Sequence, residues 1–386
     1  MDFFRGFRSW KWLFPIFVIL ALILYLFAGD PFGTRRTEQK DKIGFIILGD
    51  VNEPGWNASH YQGIRTAADE YGIELLVRDR VAEHSGQCWD AVQDLAEEGC
   101  GLIYLCSYNY APEVKDLINA HKKIRFVTYS ESIRLPNLTS CFVRMYQGFY
   151  MAGALAGLKT RTNTVGYVAA MPNPAVMRGM NAFALGAQRV NKDVKVVVAW
   201  TDAWADPQKE KENVRRLVKE VSADVIAYYQ DDHGAAAAAE ELGIDFIGYN
   251  TKLEGYSEHH LTDVYCHWDM FYRNVLQRYL KGSLRDKQTF FLGVENGVVE
   301  LGVFSRTVPD DIKAKLKDIE EDVKHNQLIF SGELYDTEGN LRCGEKEALS
   351  EEALFKEMNW IVSGVEVLPR SLPQPSTETI SKGQTK

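Results

Sequence analysis

Trp56 and Asn57 are the neighbouring residues of this chain that are best suited to hold a planar ligand. They lie in the segment 43–63, IGFIILGDVNEPGWNASHYQG, where turn-forming residues break an apolar run of strand length and a helical pattern follows, ending at Gly72. In an open α/β sheet, ligands bind beyond the carboxyl ends of the strands, so this loop should face a pocket. A rigid indole can cover the face of a planar ligand, and the Asn amide offers both a donor and an acceptor.

Both residues also have a structural interpretation. Trp56 could pack as a hydrophobic staple against its own helix, and spacing alone favours neither this role nor ligand binding. Asn57 is in addition the predicted N-cap of that helix.

The sequence contains no arrangement of residues that is typical of an enzyme or of a metal site. His259 and His260 are adjacent in a predicted loop and cannot both face one ion, so a solvated pair is expected. Asp231 and Asp232 could resemble paired carboxylates, but consecutive residues at the end of a strand point to opposite sides. We therefore predict a binding protein with no catalytic residue, no metal and no cofactor.

The six cysteines are scattered through the chain and include no Cys-x-x-Cys pair. Such spacing gives little support to a zinc or redox site, and a chain with a large core does not need disulfides for stability. We predict buried free thiols at Cys88, Cys100, Cys106, Cys141, Cys266 and Cys343.

Length and composition predict a globular protein with about two domains. The chain has 386 residues and a hydrophobic content of 46%, which is enough to form a large core. Its formal net charge is −9, and Lys and Arg are not clustered beyond the first residues. Because nucleic-acid binding needs a concentrated basic face, nucleic acid is not an expected partner.

The N-terminal segment predicts a membrane anchor. Basic residues precede an uncharged apolar run, residues 12–29, that has nearly the length of a bilayer-spanning helix. Positive charge on its N-terminal side places residues 1–11 in the cytoplasm and everything after Asp30 outside the cell membrane. The end of the run is a poor match to a signal-peptide cleavage site, so we expect a single-pass, uncleaved anchor followed by a linker at 30–42; a cleaved signal peptide is the alternative.

Strand-like and helix-like segments alternate from residue 43, and a second series begins at Val165. This repetition predicts an α/β fold with two doubly wound lobes whose strand ends face a cleft, a preferred place for small ligands. Crossing strands are expected around Asn296-Gly297. The predicted ligand-binding domain covers residues 43–370, with lobe 1 at about 43–145 and 265–300 and lobe 2 at about 146–264 and 301–367.

Three further segments complete this organisation. The predicted helix 146–158 contains AGALAG; it is too short to span a membrane, and its small residues predict close helix packing. A last helix is predicted over 352–363. Residues 371–386 are rich in Pro, Ser and Thr and are predicted to be a disordered tail.

Several segments, taken together and in order, resemble a known family. They are GWNASHYQG (55–63), MAGALAG (151–157), VGYVAAMPNPAVMRGMNAFALGA (165–187), WTDAWADPQKE (200–210), SADVIAYYQDD (222–232), IGYN (247–250), LTDVYCHWDMFYRNV (261–275) and ENGVVELGVF (295–304). These segments are similar to the basic membrane protein (BMP) family of substrate-binding proteins for ABC importers, which includes bacterial purine nucleoside receptors. The resemblance covers about residues 43–367.

The resemblance implies the type I periplasmic-binding-protein fold, two α/β lobes joined by crossing strands and here preceded by one transmembrane helix. It implies that Trp56 and Trp204 lie against a purine ring and that the Asn57 amide contacts the ligand. The remaining implied ligand contacts are Asp231 and Asn250 at strand ends, Trp268 as a further aromatic, Met171 in the MPNP motif, and Ser130.

Two positions depart from the family pattern. Ser130 stands where many nucleoside-binding members have an Asp, and His267 and Trp268 stand where a Lys is common. The loss of these charged groups puts ribose contacts in doubt and favours a purine base. The lipid-attachment Cys of the family is also missing, so the apolar segment 12–29 would provide the anchoring.

The resemblance thus implies a membrane-anchored, extracytoplasmic protein that captures a purine base or nucleoside for an ABC permease. A ligand-sensing module that signals to a membrane partner is one alternative. An enzyme that acts on nucleosides is the other.

Overall fold

The computed structural model of the protein describes residues 41–52, 56–129, 133–250, 257–284, 288–326 and 329–370. The chain divides into two units, Met1–Asp41 and Lys42–Lys386, and the elements below belong to the second. The predicted anchor at 12–29 and the predicted tail at 371–386 lie outside the described residues. Among the described helices, none is long and apolar enough to cross a bilayer.

Strands and helices alternate along most of this unit. The strands are β1 Lys42–Ile47, β2 Glu74–Arg78, β3 Leu102–Cys106, β4 Arg125–Thr128, β5 Leu138–Val143, β6 Thr164–Ala169, β7 Lys195–Trp200, β8 Val225–Tyr229, β9 Asp245–Tyr249, β10 His260–Cys266, β11 Thr289–Leu292, β12 Val299–Leu301, β13 Leu334–Tyr335, β14 Leu341–Cys343 and β15 Val365–Val367. The α-helices are α1 Trp56–Tyr71, α2 Gln87–Glu97, α3 Tyr110–Glu113, α4 Lys115–Ala120, α5 Met145–Lys159, α6 Pro174–Val190, α7 Pro207–Val221, α8 Gly234–Leu242, α9 Trp268–Leu280 and α10 Asp310–Asn326.

The strands form two large sheets, and the predicted α/β class is confirmed. The first sheet has the order β2-β1-β3-β4-β5-β11, and all of its strands are parallel. The second has the order β15-β7-β6-β8-β9-β10-β12, and only β12 runs antiparallel to its neighbour. In both sheets the chain winds outward in two directions from a central strand, β1 or β6, which is the doubly wound arrangement.

The strand sequences are continuously apolar because both faces of each sheet are covered. In β1, Phe45 and Ile46 point to opposite faces, yet neither is exposed. Phe45 lies in the large core that includes α1 and α9, whereas Ile46 lies in a second core with residues of α2 and α4. Parallel strands buried on both faces are expected to lose the apolar and polar alternation of a half-exposed sheet.

The chain passes between the two sheets three times. It leaves the first sheet after β5, returns after β10, and leaves again between β11 and β12. Val294–Asn296 forms a 3-10 turn in the last of these passages, and Gly297 follows it with a φ of 69°. The strands on either side of Asn296-Gly297 therefore belong to different sheets, as the sequence predicted.

Helices α5 and α6 pack with their backbones in close contact. A Cβ added to Gly153 would lie 1.9 Å from the carbonyl oxygen of Phe183, and one added to Gly186 would lie 1.9 Å from that of Tyr150. The close packing predicted from AGALAG is therefore confirmed, because only glycine leaves room at these two points.

The predicted helix over 352–363 is right only for its first half, because the helical segment ends at Glu357. The chain makes one π-helical turn, Ala353–Glu357, and then extends into β15, which joins the edge of the second sheet beside β7. The centroid of the Phe355 ring lies 4.4 Å from that of Phe291, and the Arg178 guanidinium lies 3.9 Å from the same Phe355 centroid.

Two smaller expectations are also corrected. Helix α1 begins at Trp56, so Asn57 is not its N-cap; the Asn57 Oδ1 instead accepts a hydrogen bond of 3.2 Å from the backbone N–H of Gly49. His260 is not solvated: it is 5% exposed, its Nε2 lies 3.2 Å from a carboxylate oxygen of Asp263, and its ring stacks on Phe246. A nearby carboxylate makes burial of this imidazole possible.

Candidate functional site

The first group of predicted site residues lies beyond the carboxyl ends of β1 and β3, where the winding of the first sheet changes direction. We call Trp56, Asn57 and Trp268, together with His60, the first half-site. The Trp56 ring is partly buried and lies 3.9 Å from the His60 ring, one helical turn further along α1, and 5.5 Å from the Trp268 ring. In the structure Trp56 therefore packs against its own helix, as in the staple alternative.

His60 is the centre of this half-site, although the sequence analysis did not single it out. It is completely buried, and the centroid of its ring lies 3.6 Å from that of the Trp268 ring. Its Nδ1 lies 2.7 Å from the hydroxyl of Tyr272, which in turn accepts a hydrogen bond of 2.8 Å from Tyr129. Burial lowers the pKa of His60 well below its ordinary value, so the imidazole is neutral.

Gly63 explains why Trp268 reaches His60. A Cβ added to Gly63 would lie 2.6 Å from the Cβ of Trp268 and 2.9 Å from the backbone nitrogen of Asp269. The first turn of α9 can approach α1 this closely only because position 63 lacks a side chain. The spacing of His60 and Gly63 in GWNASHYQG is the sequence signal that could have identified this contact.

Two polar atoms of the first half-site are buried without a partner. Among the described residues, neither the Nε2 of His60 nor the Nε1 of Trp268 makes a hydrogen bond. Trp268 is only 6% exposed, so water does not compensate freely for the missing bond. A buried polar atom without a partner costs free energy, and such atoms are commonly found where a ligand supplies the partner.

The second group of predicted residues follows four adjacent strands of the second sheet. We call Met171, Trp204, Asp231 and Asn250 the second half-site; they come after β6, β7, β8 and β9, respectively. Because all four strands are parallel, their carboxyl ends lie at one edge, and the crevice beside β6 and β8 is the expected ligand position.

Trp204 is the exposed aromatic residue of the second half-site. Its side chain is 36% exposed, its ring meets Tyr229 edge-on at 5.8 Å, and its carbonyl oxygen accepts a hydrogen bond of 2.9 Å from the backbone N–H of Asp231. Tyr229 is 9% exposed, and burial raises its pKa to about 12. The indole therefore rests on a rigid, neutral aromatic support while part of its surface faces outward.

Asn250 has an unusual backbone conformation and an unpaired side-chain oxygen. Its φ is 53°, in the left-handed region that Asn tolerates better than most residues. Its N–H donates to the carbonyl oxygen of Val264 at 2.8 Å, whereas its Oδ1 is buried without a hydrogen bond among the described residues. Strained backbone and unpaired polar atoms tend to cluster at functional sites.

The remaining predictions have different outcomes. Met171 is partly buried, and its carbonyl oxygen accepts a bond of 2.7 Å from Asn173, the N-cap of α6. His267 is directed toward Glu300, with Nε2 and carboxylate oxygen 2.5 Å apart. Ser130 lies outside the described residues.

Metal and thiol chemistry receive no support from the geometry. The described residues include no group of three His, Cys, Asp or Glu side chains that could hold a metal ion. All six cysteines are buried and form no disulfide. Burial raises the pKa of the Cys100 thiol to about 11, which makes it a poor nucleophile.

Comparisons with known proteins agree with this fold. Residues 40–338 match the model of a family described as Bmp, ABC transporter substrate-binding protein PnrA-like. A purine-binding protein of Brucella abortus is 28% identical over 86% of this chain and 95% of its own length. A candidate ABC transporter glucose-binding protein of Haloferax volcanii is also 28% identical, over 83% of this chain and 79% of its own length.

A solved structure, that of a transcriptional activator of the comK gene from Bacillus halodurans, has the same fold. Its TM-score is 0.66 at 24% identity, covering 74% of this chain and 98% of the other. The family match extends over well more than half of the chain and contains both half-sites. This protein therefore belongs to the family of PnrA-like ABC transporter substrate-binding proteins.

Proposed function

We propose that this protein captures a purine base or nucleoside outside the cytoplasm and delivers it to an ABC permease. The observation that carries the proposal is the presence of aromatic rings at the carboxyl ends of both sheets. Trp56 and Trp268 lie in the first half-site, and Trp204 rests on Tyr229 in the second. A planar heterocycle bound between the two sheets would stack on these rings, and every purine base has an aromatic face that can stack in this way.

Polar groups beside the rings would select the ligand. Asp231 and Asn250 follow adjacent strands, and the unpaired Oδ1 of Asn250 is available to accept a hydrogen bond. Asn57 and Ser130 would contribute from the first lobe, and Met171 would line the second. The name of the Brucella abortus relative supports a purine, whereas that of the Haloferax volcanii relative makes glucose the ligand to test against it.

A base is expected to bind at least as well as its nucleoside. The first reason is that Ser130 stands in place of a ribose-binding carboxylate. The second is that His267, which stands in the region where a Lys is common, interacts with Glu300. The site therefore lacks these two charged groups as partners for the ribose hydroxyls.

Calorimetry with a panel of ligands tests the proposal. The panel comprises adenine, guanine, hypoxanthine, adenosine, guanosine and inosine, with glucose and an amino acid as controls. Replacing Trp204 with Ala should remove stacking worth about 1–3 kcal/mol, a loss of affinity of roughly 5- to 150-fold, and Phe should retain much of it. Trp89→Ala is the matched control, because Trp89 is similarly exposed, at 38%, on α2. Binding of glucose but no purine, or a Trp204→Ala protein that binds like the parent, would reject the purine site.

The N-terminal segment 12–29 is proposed to anchor the protein to the cell membrane with the binding domain outside. Its apolar length and the basic residues before it support this orientation. Protease added to intact cells should digest the domain while the anchor stays in the membrane fraction. A mature chain that begins near Asp30 and is released into solution would show instead that the segment is cleaved.

A further inference from the structure

We infer that His60 and Trp268 together form a wall of two hydrogen-bond donors, which makes the site select 6-oxopurines over 6-aminopurines. This inference rests on the proposed purine-binding function and specifies the ligand class of that same site. It adds His60 to the binding residues and assigns a polarity to the first half-site.

The hydrogen bonds around His60 determine which of its nitrogens carries the proton. Tyr129 donates to the hydroxyl oxygen of Tyr272, so the Tyr272 proton is free to point at the Nδ1 of His60, 2.7 Å away. The Cys106 thiol, a second possible donor, lies 3.4 Å from the same nitrogen. Nδ1 is therefore the acceptor. Because the buried imidazole is neutral, its single proton lies on Nε2.

The two donors belong to neighbouring rings. The rings of His60 and Trp268 lie 3.6 Å apart with 36° between their planes. The indole N–H of Trp268 can only donate, and the assignment above makes Nε2–H of His60 a donor as well. Both atoms are buried and lack a partner among the described residues. Two neighbouring donors without partners would be satisfied by a ligand edge that carries two neighbouring acceptors.

Trp56 is the residue that covers this wall. Its ring centroid lies 3.9 Å from that of His60 and 5.5 Å from that of Trp268. Trp56 is only partly buried, whereas His60 is not exposed at all. Displacement of this one indole would uncover the imidazole and at the same time free the indole to stack on the ligand.

The purine edges differ in the required pattern. On its N7 side a 6-oxopurine presents two acceptors, O6 and N7, whereas adenine presents the N7 acceptor beside an N6 amino donor. Adenine would thus oppose a donor with a donor and leave both unpaired, which is costly in a buried site. In the second half-site the orphan atom is an acceptor, Oδ1 of Asn250, which suits the N–H groups on the opposite edge of an oxopurine.

Calorimetry with three ligands and two variants tests the inference. We expect the wild type to bind hypoxanthine at least about tenfold more tightly than adenine, and also than 7-deazahypoxanthine, in which a C–H replaces the N7 acceptor. Trp268→Phe removes the indole N–H together with the pyrrole part of the ring system and keeps a six-membered aromatic ring. It should lose about tenfold in affinity for hypoxanthine and much less for adenine, so that the preference falls.

Trp89→Phe is the control for the substitution, since Trp89 lies on the surface of α2, and it should leave both affinities unchanged. The comparison of hypoxanthine with its 7-deaza analogue uses the wild type alone, so it stands even if Trp268→Phe folds poorly. Adenine binding as tightly as hypoxanthine, or an equal affinity for the 7-deaza analogue, would overturn the donor wall while leaving purine binding intact. Failure of every purine to bind would instead overturn the proposed function and the inference with it.

Discussion

Glu210 is a buried carboxyl group that should make the stability of the protein depend on pH near neutrality. It lies on α7, and its Oε2 accepts a hydrogen bond of 3.1 Å from the N–H of Ala235 at the start of α8. Burial, and to a smaller extent the charge of Asp232, raises the pKa of Glu210 from 4.5 to about 7. Between these two values the folded protein binds a proton that the unfolded chain releases.

The stability contributed by the protonated Glu210 is therefore present below pH 4.5 and is lost as the pH rises toward 7. Glu210→Gln keeps an acceptor for Ala235 but cannot ionise. Its free energy of unfolding should consequently fall less between pH 5 and pH 8 than that of the wild type. Urea unfolding at both pH values measures the difference. Equal changes in the two proteins would show that Glu210 does not titrate in this range.

At the scale of secondary structure, the contact between α5 and α6 is the most sensitive to substitution. Gly153→Ala would place a methyl group 1.9 Å from the carbonyl oxygen of Phe183, and backbone cannot yield as a side-chain tip can. The two helices would have to separate, which should cost about 1–3 kcal/mol or more of unfolding free energy. Chemical denaturation would measure this loss.

Gly282→Ala is the control for the α5 and α6 contact. Gly282 has a φ of 62° and nothing within 4 Å of an added Cβ, so this change tests backbone strain alone. It should cost about 1 kcal/mol. A Gly153→Ala protein as stable as the Gly282→Ala protein would contradict the close packing of the two helices.

At the scale of the whole molecule, the positions of the two half-sites predict a closing motion. Each half-site lies at the strand ends of a different sheet, and the described strands are connected by three passages of the chain between the sheets. A ligand can satisfy both half-sites only when the lobes approach each other, so binding should favour the closed form through a hinge.

Small-angle scattering measures the closing motion directly. The radius of gyration of residues 31–386 should decrease when a purine is added at saturating concentration. Trp204→Ala, tested at the same ligand concentration, should show a smaller decrease because it is less occupied. An unchanged radius in the wild type at proven saturation would mean that one lobe alone binds the ligand.

The C-terminal segment must accommodate any such motion. Glu351 lies 2.5 Å from Arg144 at the first passage between the sheets, and Arg144 lies 3.8 Å from Glu295 at the last. Phe355 packs on Phe291 of the first sheet, and the same ring contacts Arg178 on α6. The segment thus contacts residues on both sides of the passages.

Local patterns in the sequence were sufficient for much of the fold. Apolar runs and helical periodicity predicted alternating strands and helices, because these signals depend on neighbouring residues. The end of α1 at Gly72 is confirmed by its φ of 66°, and the small residues of α5 correctly predicted close packing. The choice of Trp204, Asp231 and Asn250 as ligand contacts came instead from the family resemblance.

Contacts between distant residues decided the rest. His60 can be buried because the hydroxyl of Tyr272, 212 residues away, lies within hydrogen-bond distance of its Nδ1, and because the ring of Trp268 packs against it. The helix predicted over 352–363 ends at Glu357, and the chain continues to β15, which pairs with β7 at the edge of the second sheet. The sequence alone determined which segments become strands and helices and which residue types stand at their ends. Only the tertiary structure decided which polar atoms are buried without partners, because burial depends on contacts that no local pattern contains.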